Sequence, residues 1–433
     1  MWYQNIIQIF KIRDLRKKIF FVLGAFAVFR LMANIPIPGA DTEKLKMFFE
    51  QFQIFGLLST FTGGAFDKLS IVMLGLGPYI TSSVILQLLS MAFPQLERIY
   101  KEEGEAGRQK FEQYGRILAV PLSMLQGYAM LALLRRQGVI EVVSPLSLFS
   151  SVLTITAGTL FLMWLGELIS EKGLGNGISL LIFAGIVADF PTNILQIFSD
   201  IKADQAGILA YLVFFVMSLC IIAGVVLVNE ARRDIPISYA KRVRGRKIYG
   251  GASTYLPMRV NPAGVMPIIF SLSILTFPGM IANFLKGAGG WVGTFAQRAA
   301  LFFENPWIYG ILYFSLVFVF TFFYTLVTFD TKTIATNLQK SGGFIPGIRP
   351  GYSTANFFNY TLNRVLPFGA LFLGIIAVLP SIVPSIIGWL TGTEIISFQV
   401  LIGGTSLLIL VSVVLESMRE FKAQLQMRKY DTL

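Results

Sequence analysis

Ten long apolar stretches dominate the sequence and determine what the chain can fold into. They cover residues 19–35, 69–93, 117–134, 151–169, 178–190, 208–228, 264–284, 307–329, 365–389 and 396–415. They approach the ~20 residues that a helix needs to cross a bilayer, and only the fifth is clearly shorter. Each must be helical in lipid, because no other isolated segment satisfies its own backbone hydrogen bonds. The pattern predicts an all-α polytopic membrane protein with ten transmembrane helices.

The composition excludes several classes of protein. Only 14% of the 433 residues are charged, whereas a soluble globular protein carries roughly 25%. The absence of histidine removes His-dependent catalysis and His metal ligands. The single cysteine, Cys220, leaves no intramolecular disulfide and no cysteine metal cluster. We therefore expect no metal, no cofactor and no enzymatic activity.

The distribution of basic residues predicts the orientation. If the N-terminus is cytoplasmic and every stretch crosses once, the cytoplasmic segments hold 27 of the 36 Lys and Arg and the outer segments hold 8, with Arg30 inside the first span. The acids split 14 to 10, which gives +13 inside and −2 outside and, with Arg30, the total of +12. The positive-inside rule then places both termini in the cytoplasm. The basic N-terminus precedes a span without a small-residue cleavage site, so we expect no cleaved signal peptide.

Ten spans divide into two halves of five, residues 1–190 and 191–433. Because five is odd, the halves must have opposite topology, which is the arithmetic of an inverted repeat around a central cavity. The two halves show no visible sequence identity, so this arithmetic permits an inverted repeat without requiring one.

Two cytoplasmic loops, residues 229–261 and 330–364, are long and basic. The basic residues could serve only to fix the topology of the chain and to contact lipid headgroups. Loops longer than ~15 residues, however, are often functional. In the second loop, prolines and glycines of residues 342–351 surround Arg349 at an expected turn tip. A fixed basic tip suits docking of an acidic or RNA-bearing partner.

A short apolar segment, residues 57–68, is interrupted by Gly63 and Gly64 and ends after Asp67. Twelve residues cannot cross a bilayer of about 30 Å as a helix. The segment is either an interfacial loop or a re-entrant half-helix, and the latter requires surrounding protein or a water-filled cavity. Gly75, Gly77 and Pro78 then interrupt the second span itself.

Ionisable groups are scarce in the spans, where Arg30 lies in the first and Glu167 near one end of the fourth. This scarcity disfavours an ion-coupled carrier, which generally needs buried charged relays. Ile178 and Ile182 share a helix face, a pattern typical of core packing. Residues 173–177 (GLGNG) lack the GKS/T ending of a Walker motif, so we expect no nucleotide binding.

Seven motifs resemble the SecY family, the large subunits of bacterial protein-conducting channels. They are IPIPG (35–39), FTGGAFDKLSI (61–71), GPYITSSVILQLL (77–89), FLMWLGELISEKGLGNGIS (161–179), YAKRVRGRKIYGG (239–251), KSGGFIPGIRPG (340–351) and GGTSLLI (403–409). They run from the first span to the tenth in the family's order and spacing.

The resemblance implies a clamshell of spans 1–5 and 6–10 around an hourglass pore. A plug, at about residues 57–70, occupies the outer funnel and includes Phe61, Thr62, Gly63, Gly64, Ala65 and Phe66. The constriction is implied to be an aliphatic ring of Leu76, Ile80, Ile178, Ile182, Ile269 and Ile409, in which Leu76 replaces the family's usual isoleucine. Such a ring dewets and impedes ions.

The family opens sideways to lipid between spans 2–3 and 7–8, where signal sequences and nascent spans partition. Gln87, Ser271 and Thr276 are polar positions on those spans, and ordinary interhelical hydrogen bonding accounts for each equally well. Arg246, Lys247 and Arg349 fall on the family's motifs for binding the ATPase motor SecA or the ribosome. The resemblance also implies the small subunits SecE and SecG, unfolded preproteins as substrates, and a bacterial plasma membrane.

Two alternatives remain at this point. An inverted-repeat solute transporter would need convergent polar groups at mid-membrane, where the motifs place six aliphatic residues. An intramembrane protease is disfavoured by the lack of histidine and of paired aspartates.

Overall fold

The computed structural model describes residues 12–37, 62–66, 68–101, 104–136, 138–140, 144–173, 175–202, 208–239, 242–244, 247–249, 253–285, 290–391 and 404–431. Its helices are α1 (Arg13–Ala33), α2 (Gly77–Ala92), α3 (Pro94–Lys101), α4 (Gly104–Arg136), α5 (Pro145–Lys172), α6 (Gly177–Lys202), α7 (Ile208–Glu230), α8 (Met266–Leu285), α9 (Trp291–Glu304), α10 (Pro306–Thr328), α11 (Thr331–Lys340), α12 (Tyr352–Thr391) and α13 (Gly404–Asp431). The strands are β1 (Arg232–Tyr239), β2 (Arg242–Arg244), β3 (Lys247–Tyr249), β4 (Ser253–Arg259) and β5 (Gly343–Phe344).

Every predicted span contains a helix, in the order α1, α2, α4, α5, α6, α7, α8, α10, α12 and α13. The predicted all-α membrane fold is thereby confirmed. Four segments meet the length and hydropathy expected of a span within the described residues, namely Gln109–Arg135, Pro145–Lys172, Trp307–Lys340 and Tyr352–Leu379. Three shorter apolar helices, Gly177–Pro191, Phe215–Glu230 and Met266–Leu275, accompany them. The short fifth stretch extends further than predicted, as α6 continues through Pro191 to Lys202.

The second span is only partly helical. The apolar run begins at Leu69, but α2 starts at Gly77, and the preceding residues form consecutive turns. Their backbone is satisfied by pairing with the chain that follows α1: the Ile37 amide donates to the Leu69 carbonyl at 2.8 Å, and the Ile71 amide to the Ile35 carbonyl at 3.0 Å. Most side chains of this stretch are buried, which meets the condition for irregular backbone at membrane depth.

Helix packing is densest within two sets of helices, α1 to α6 and α7 to α13. The predicted boundary at residue 190 falls inside α6, which continues to Lys202. In the first set α4 packs on α2 and α5, and α6 packs on α5 and α1. In the second set α12 packs on α10 and α7, and α13 packs on α7 and α12. The two sets meet along two lines, where α8 contacts α2 and α4 and where α13 contacts α6.

The two basic loops join in one small sheet, which the sequence did not predict. β1 pairs antiparallel with β4, from Arg232 opposite Arg259 to Ser238 opposite Ser253. β5, from the second loop, pairs with the end of β1, giving the strand order β4-β1-β5. One apolar cluster lies beneath the sheet and includes Ile235, Met258, Ile345 and Phe358. The base of the first loop and the second loop are therefore packed together, whereas β2 and β3 of the first loop pair with each other in a separate two-stranded sheet.

Close contact between α5 and the turns before α2 depends on a glycine. A Cβ at Gly158 would lie 2.1 Å from the carbonyl oxygen of Ile71, whereas a Cβ at Gly24 on α1 would meet nothing within 4 Å. Adding atoms to a packed interior typically costs 1–3 kcal/mol of folding free energy and sometimes more.

We expect Gly158→Ala to lower the apparent Tm of the purified protein in detergent. Gly24→Ala should leave the Tm unchanged or raise it slightly, because alanine favours helices. Equal Tm values for the two variants would contradict the packing described here.

Candidate functional site: a polar cavity above an apolar floor

A cavity of about 910 Å³ opens between α2, α4, α5, α6 and α8. Its lining mixes apolar side chains with polar and charged ones, and the latter include Gln87, Glu112, Arg116, Glu167, Glu171 and Asn176. With the predicted orientation, these polar and charged residues lie at the cytoplasmic ends of their helices. The cavity is partly open to the surface and is called the funnel below.

An ion pair joins two helices in the funnel wall. Nε of Arg116 on α4 lies 2.7 Å from Oε1 of Glu167 on α5. The two side chains are 42% and 25% exposed, so water screens the pair and its contribution to stability is modest. Sequence reasoning noted Glu167 but not its partner, because 51 residues separate them.

The floor of the cavity is aliphatic. Ile80, Ile178, Ile182 and Ile269 line it. Of the predicted ring, Leu76, Ile182, Ile269 and Ile409 are buried in one apolar cluster, and Ile80 and Ile178 are partly buried and pack against it. This cluster, called the floor cluster below, also includes side chains of α1, α7, α10 and α12.

Local capping positions the floor residues of α6. The Asn176 side chain accepts hydrogen bonds from the amides of Ile178 and Ser179 at 3.1 and 3.2 Å, the arrangement expected of an N-cap residue. The hydroxyl of Ser170 accepts from the Gly177 amide at 2.8 Å. These bonds fix the start of α6, so that Ile178 and Ile182, one turn apart, face the floor cluster.

The segment of residues 62–66 lies against the floor cluster. All five residues are buried, and Ala65 belongs to the cluster itself. A Cβ at Gly63 would lie 2.8 Å from the Cα of Gly185 on α6, so the two backbones approach closely. Burial of this kind favours the re-entrant segment over an interfacial loop. Residues 63–66 form turns rather than a helix, and Phe61 lies outside the described residues.

A charged contact reaches this segment from α1. Nη1 of Arg30 donates to the carbonyl oxygen of Gly63. Nη2 lies 3.5 Å from both the carbonyl oxygen of Ala188 and Oδ1 of Asp189. Sequence reasoning singled out Arg30 but missed Asp189, although an acid within an apolar stretch is a recognisable partner for an intramembrane arginine.

The three polar positions that the resemblance places beside a lateral opening differ in their surroundings. The hydroxyl of Ser271 is fully buried and donates to the Pro267 carbonyl of its own helix at 2.7 Å. Gln87 lines the cavity, and its Oε1 is buried and accepts no hydrogen bond within the described part of the chain. Thr276 lies in α8, and its side chain is outside the described set. They lie on the two sides of the seam where α8 meets α2 and α4.

Arg349 directly follows a hydrogen-bonded turn of residues 345–348, rather than lying at its predicted tip. The amide of Ile348 donates to the Ile345 carbonyl at 3.0 Å, and the hydroxyl of Thr354 donates to the Arg349 carbonyl at 2.9 Å. Ile345 is buried beneath the sheet, whereas the Arg349 side chain is exposed. In the first loop, Lys247 begins β3, and Arg246 lies outside the described residues.

A polar junction connects the base of the first loop to α13, the helix that carries Ile409. Nη2 of Arg419 lies 2.7 Å from Oε1 of Glu230 and 3.1 Å from the Asn229 carbonyl oxygen. The side-chain amide nitrogen of Asn229 donates to the Ser412 hydroxyl at 2.8 Å. Partial burial, together with the neighbouring Arg419, lowers the pKa of the adjacent Arg259 guanidinium. Sequence reasoning missed this junction, whose partners are far apart along the chain.

Comparison with known proteins identifies the family. The SecY family pattern matches residues 70–418. The protein translocase subunit SecY of Streptomyces coelicolor is 41% identical over 436 residues, covering 98% of this chain and 97% of that protein.

Solved structures share the fold. One, described as the structure of a protein conducting channel, superposes with a TM-score of 0.65 at 16% identity, covering 93% of this chain and 91% of that one. Another, described as Sec61 in the canine ribosome-channel complex from the endoplasmic reticulum, gives a TM-score of 0.62 at 16% identity over the same shares. With the family pattern spanning most of the sequence and the full-length identity to translocase subunits, this multi-pass membrane protein belongs to the SecY family.

Proposed function

We propose that this chain is the channel-forming subunit of a bacterial protein translocase. It passes unfolded secretory polypeptides across the plasma membrane and releases membrane spans sideways into lipid. The observation that supports this most directly is a cavity that combines polar and charged residues with four aliphatic ones, Ile80, Ile178, Ile182 and Ile269. Leu76 and Ile409 belong to the apolar cluster in which these four lie or against which they pack. A wet funnel admits an extended chain, and an apolar floor excludes water and ions while offering a moving chain no hydrogen bonds to hold it.

The proposal also assigns residues to the pore ring, the plug and the lateral opening of the channel. Leu76, Ile80, Ile178, Ile182, Ile269 and Ile409 form the pore ring, and residues 62–66 with Phe61 form the plug on its outer side. Residues 1–190 and 191–433 act as two inverted halves that part where α8 meets α2 and α4. Gln87, Ser271 and Thr276 lie beside this lateral opening. A signal sequence entering lipid there gains about 0.8 kcal/mol for each methylene that it buries.

Energy is supplied from outside the chain, which we propose is not itself an enzyme. The joined basic loops, with Arg246, Lys247 and Arg349, form a cytoplasmic platform for the ATPase motor SecA or for a translating ribosome. SecE and SecG accompany the channel as small membrane subunits. Both termini lie in the cytoplasm, as the basic segments require.

A solute transporter is the competing function. It would need polar groups converging on a solute at mid-membrane. Here the polar groups line the funnel wall, and the floor is aliphatic, which favours a channel for polypeptides.

The channel and its docking platform can be tested together. With SecE, SecG, SecA and ATP in proteoliposomes, we expect a secretory precursor to become protected from external protease. Arg349→Glu should reduce protection about tenfold or more, since it reverses the charge beside the turn. Lys332→Glu, the same charge reversal at an exposed position on α11, should reduce it little.

The results of this experiment distinguish the docking role of Arg349 from the channel function itself. Equal losses in both variants would mean that overall charge, rather than Arg349, directs docking. Absence of protection with the native chain, given folded protein and active SecA, would contradict the channel function.

The apolar floor makes a second prediction. Ile269→Asn places an amide in the floor cluster and should hydrate it, raising the resting ion conductance of the channel in planar bilayers several-fold. Ile269→Leu keeps the position apolar and should conduct like the native protein. Unchanged conductance in a correctly assembled asparagine variant would show that the seal lies elsewhere.

A further inference from the structure

Arg30 lies in the last turn of α1, and its guanidinium contacts other parts of the bundle. Its guanidinium connects α1 to the Gly63 carbonyl on one side and to Ala188 and Asp189 of α6 on the other. The side chains of Arg30 and Asp189 are 34% and 21% exposed, so the pair is neither sealed in the core nor free in solvent. A guanidinium that joins two other segments at this end of α1 is a candidate functional group.

The two ends of the segment containing residues 62–71 are held in different ways. Its second end is fixed by main-chain pairing of residues 69–71 with residues 35–37. Nearby, the Lys68 ammonium donates to the Asn34 side-chain oxygen at 2.5 Å. Its first end, residues 62–66, has Arg30 as its charged contact, beside the close approach of Gly63 to Gly185.

One end of the segment is held by backbone hydrogen bonds and the other by a side-chain contact, so the two ends differ in how easily they can move. Residues 69–71 form the hinge, because displacing them would break several backbone bonds at once. Residues 65 and 66 accept hydrogen bonds from the amides of Ser70 and Leu69, so residues 62–66 can move as a unit about this hinge when the Arg30–Gly63 contact breaks and their apolar packing separates. The guanidinium then keeps the Ala188 carbonyl and the Asp189 carboxylate as partners, so breaking the contact strands no unpaired charge in the membrane.

We infer that Arg30, oriented by Asp189, is the positioning residue that latches residues 62–66 in the closed position. The inference rests on the proposed channel function, in which this segment is the plug. The latch acts on a main-chain carbonyl, so it does not depend on a side chain of the plug. Gly63 presents that carbonyl with φ +66°, a left-handed conformation that glycine adopts without strain.

If the ion pair were purely structural, its loss would affect the stability of the protein but not the position of the plug. If Arg30 and Asp189 only joined α1 to α6, loss of the pair would lower stability and leave the exposure of residue 62 unchanged. A latch instead controls how often residue 62 becomes exposed. Thr62 is 7% exposed in the closed position, so its accessibility reports the position of the plug.

The test measures that accessibility in spheroplasts that carry the assembled complex. Cys220→Ser removes the single native thiol, and Thr62→Cys introduces a reporter of nearly the same size. A membrane-impermeant maleimide is added to the outer side. We expect Arg30→Gln to accelerate labelling about tenfold or more, and Arg30→Lys, which keeps the charge but loses the two-pronged donor, to give an intermediate rate. Arg298→Gln, at an exposed position on α9, should match the parent.

Asp189→Asn tests whether Asp189 acts through Arg30. Alone it should accelerate labelling less than Arg30→Gln, and it should add nothing in the Arg30→Gln background. Unchanged labelling in Arg30→Gln and Arg30→Lys would overturn the latch. If the Arg30→Gln protein does not assemble, the rates of maleimide labelling in Arg30→Lys and Asp189→Asn test the latch instead.

Failure of the latch is distinguishable from failure of the proposed function. Protease protection of a precursor by the parent protein reports on channel activity alone. Protection with unchanged labelling in the variants would reject only the latch, whereas lack of protection would reject the channel.

Discussion

Irregular backbone can lie at membrane depth only where protein surrounds it, and this requirement organises the whole molecule. Residues 62–66 and 68–76 are largely non-helical and mostly buried. They need walls on every side, because a carbonyl or amide facing lipid without a partner would cost several kcal/mol. The walls are α1, α4, α5 and α6. Gly158 and Gly185, which bring two of these walls close to the backbone, follow from that requirement.

The same packing separates a wet region from a dry one. Above the floor cluster, the ends of α4 and α5 bring charged side chains to the funnel, where water reaches them. Below it, residues 62–66 fill the space against aliphatic side chains. A boundary that depends on aliphatic packing alone can separate and re-form without breaking hydrogen bonds. Such a boundary suits a pore that must open for many different polypeptides and close again afterwards.

The helices could be predicted from the sequence because hydropathy is a local property and the bilayer fixes the length of each span. The floor residues were found through motifs rather than periodicity, since the spacing of Ile178 and Ile182 alone is typical of core packing. Contacts between distant residues were not predictable from one sequence. Asp189 lies 159 residues from Arg30, and the sheet that joins the two loops depends on pairing between β1 and β5. Gly75, Gly77 and Pro78 were predicted to interrupt the second span, and α2 does begin at Gly77. The turns before it were not predicted, because the apolar run continues through them.

The most direct test asks whether a moving polypeptide touches the floor cluster. A photo-reactive amino acid is placed at Ile182, in the floor, or at Ile311, which is 67% exposed on α10. A precursor carrying a folded domain at its end is stalled in the channel by SecA and ATP. The account predicts precursor adducts at position 182 that require ATP, and none at position 311. A protease-protected precursor that forms adducts at position 311 but none at position 182 would show that the polypeptide takes another path.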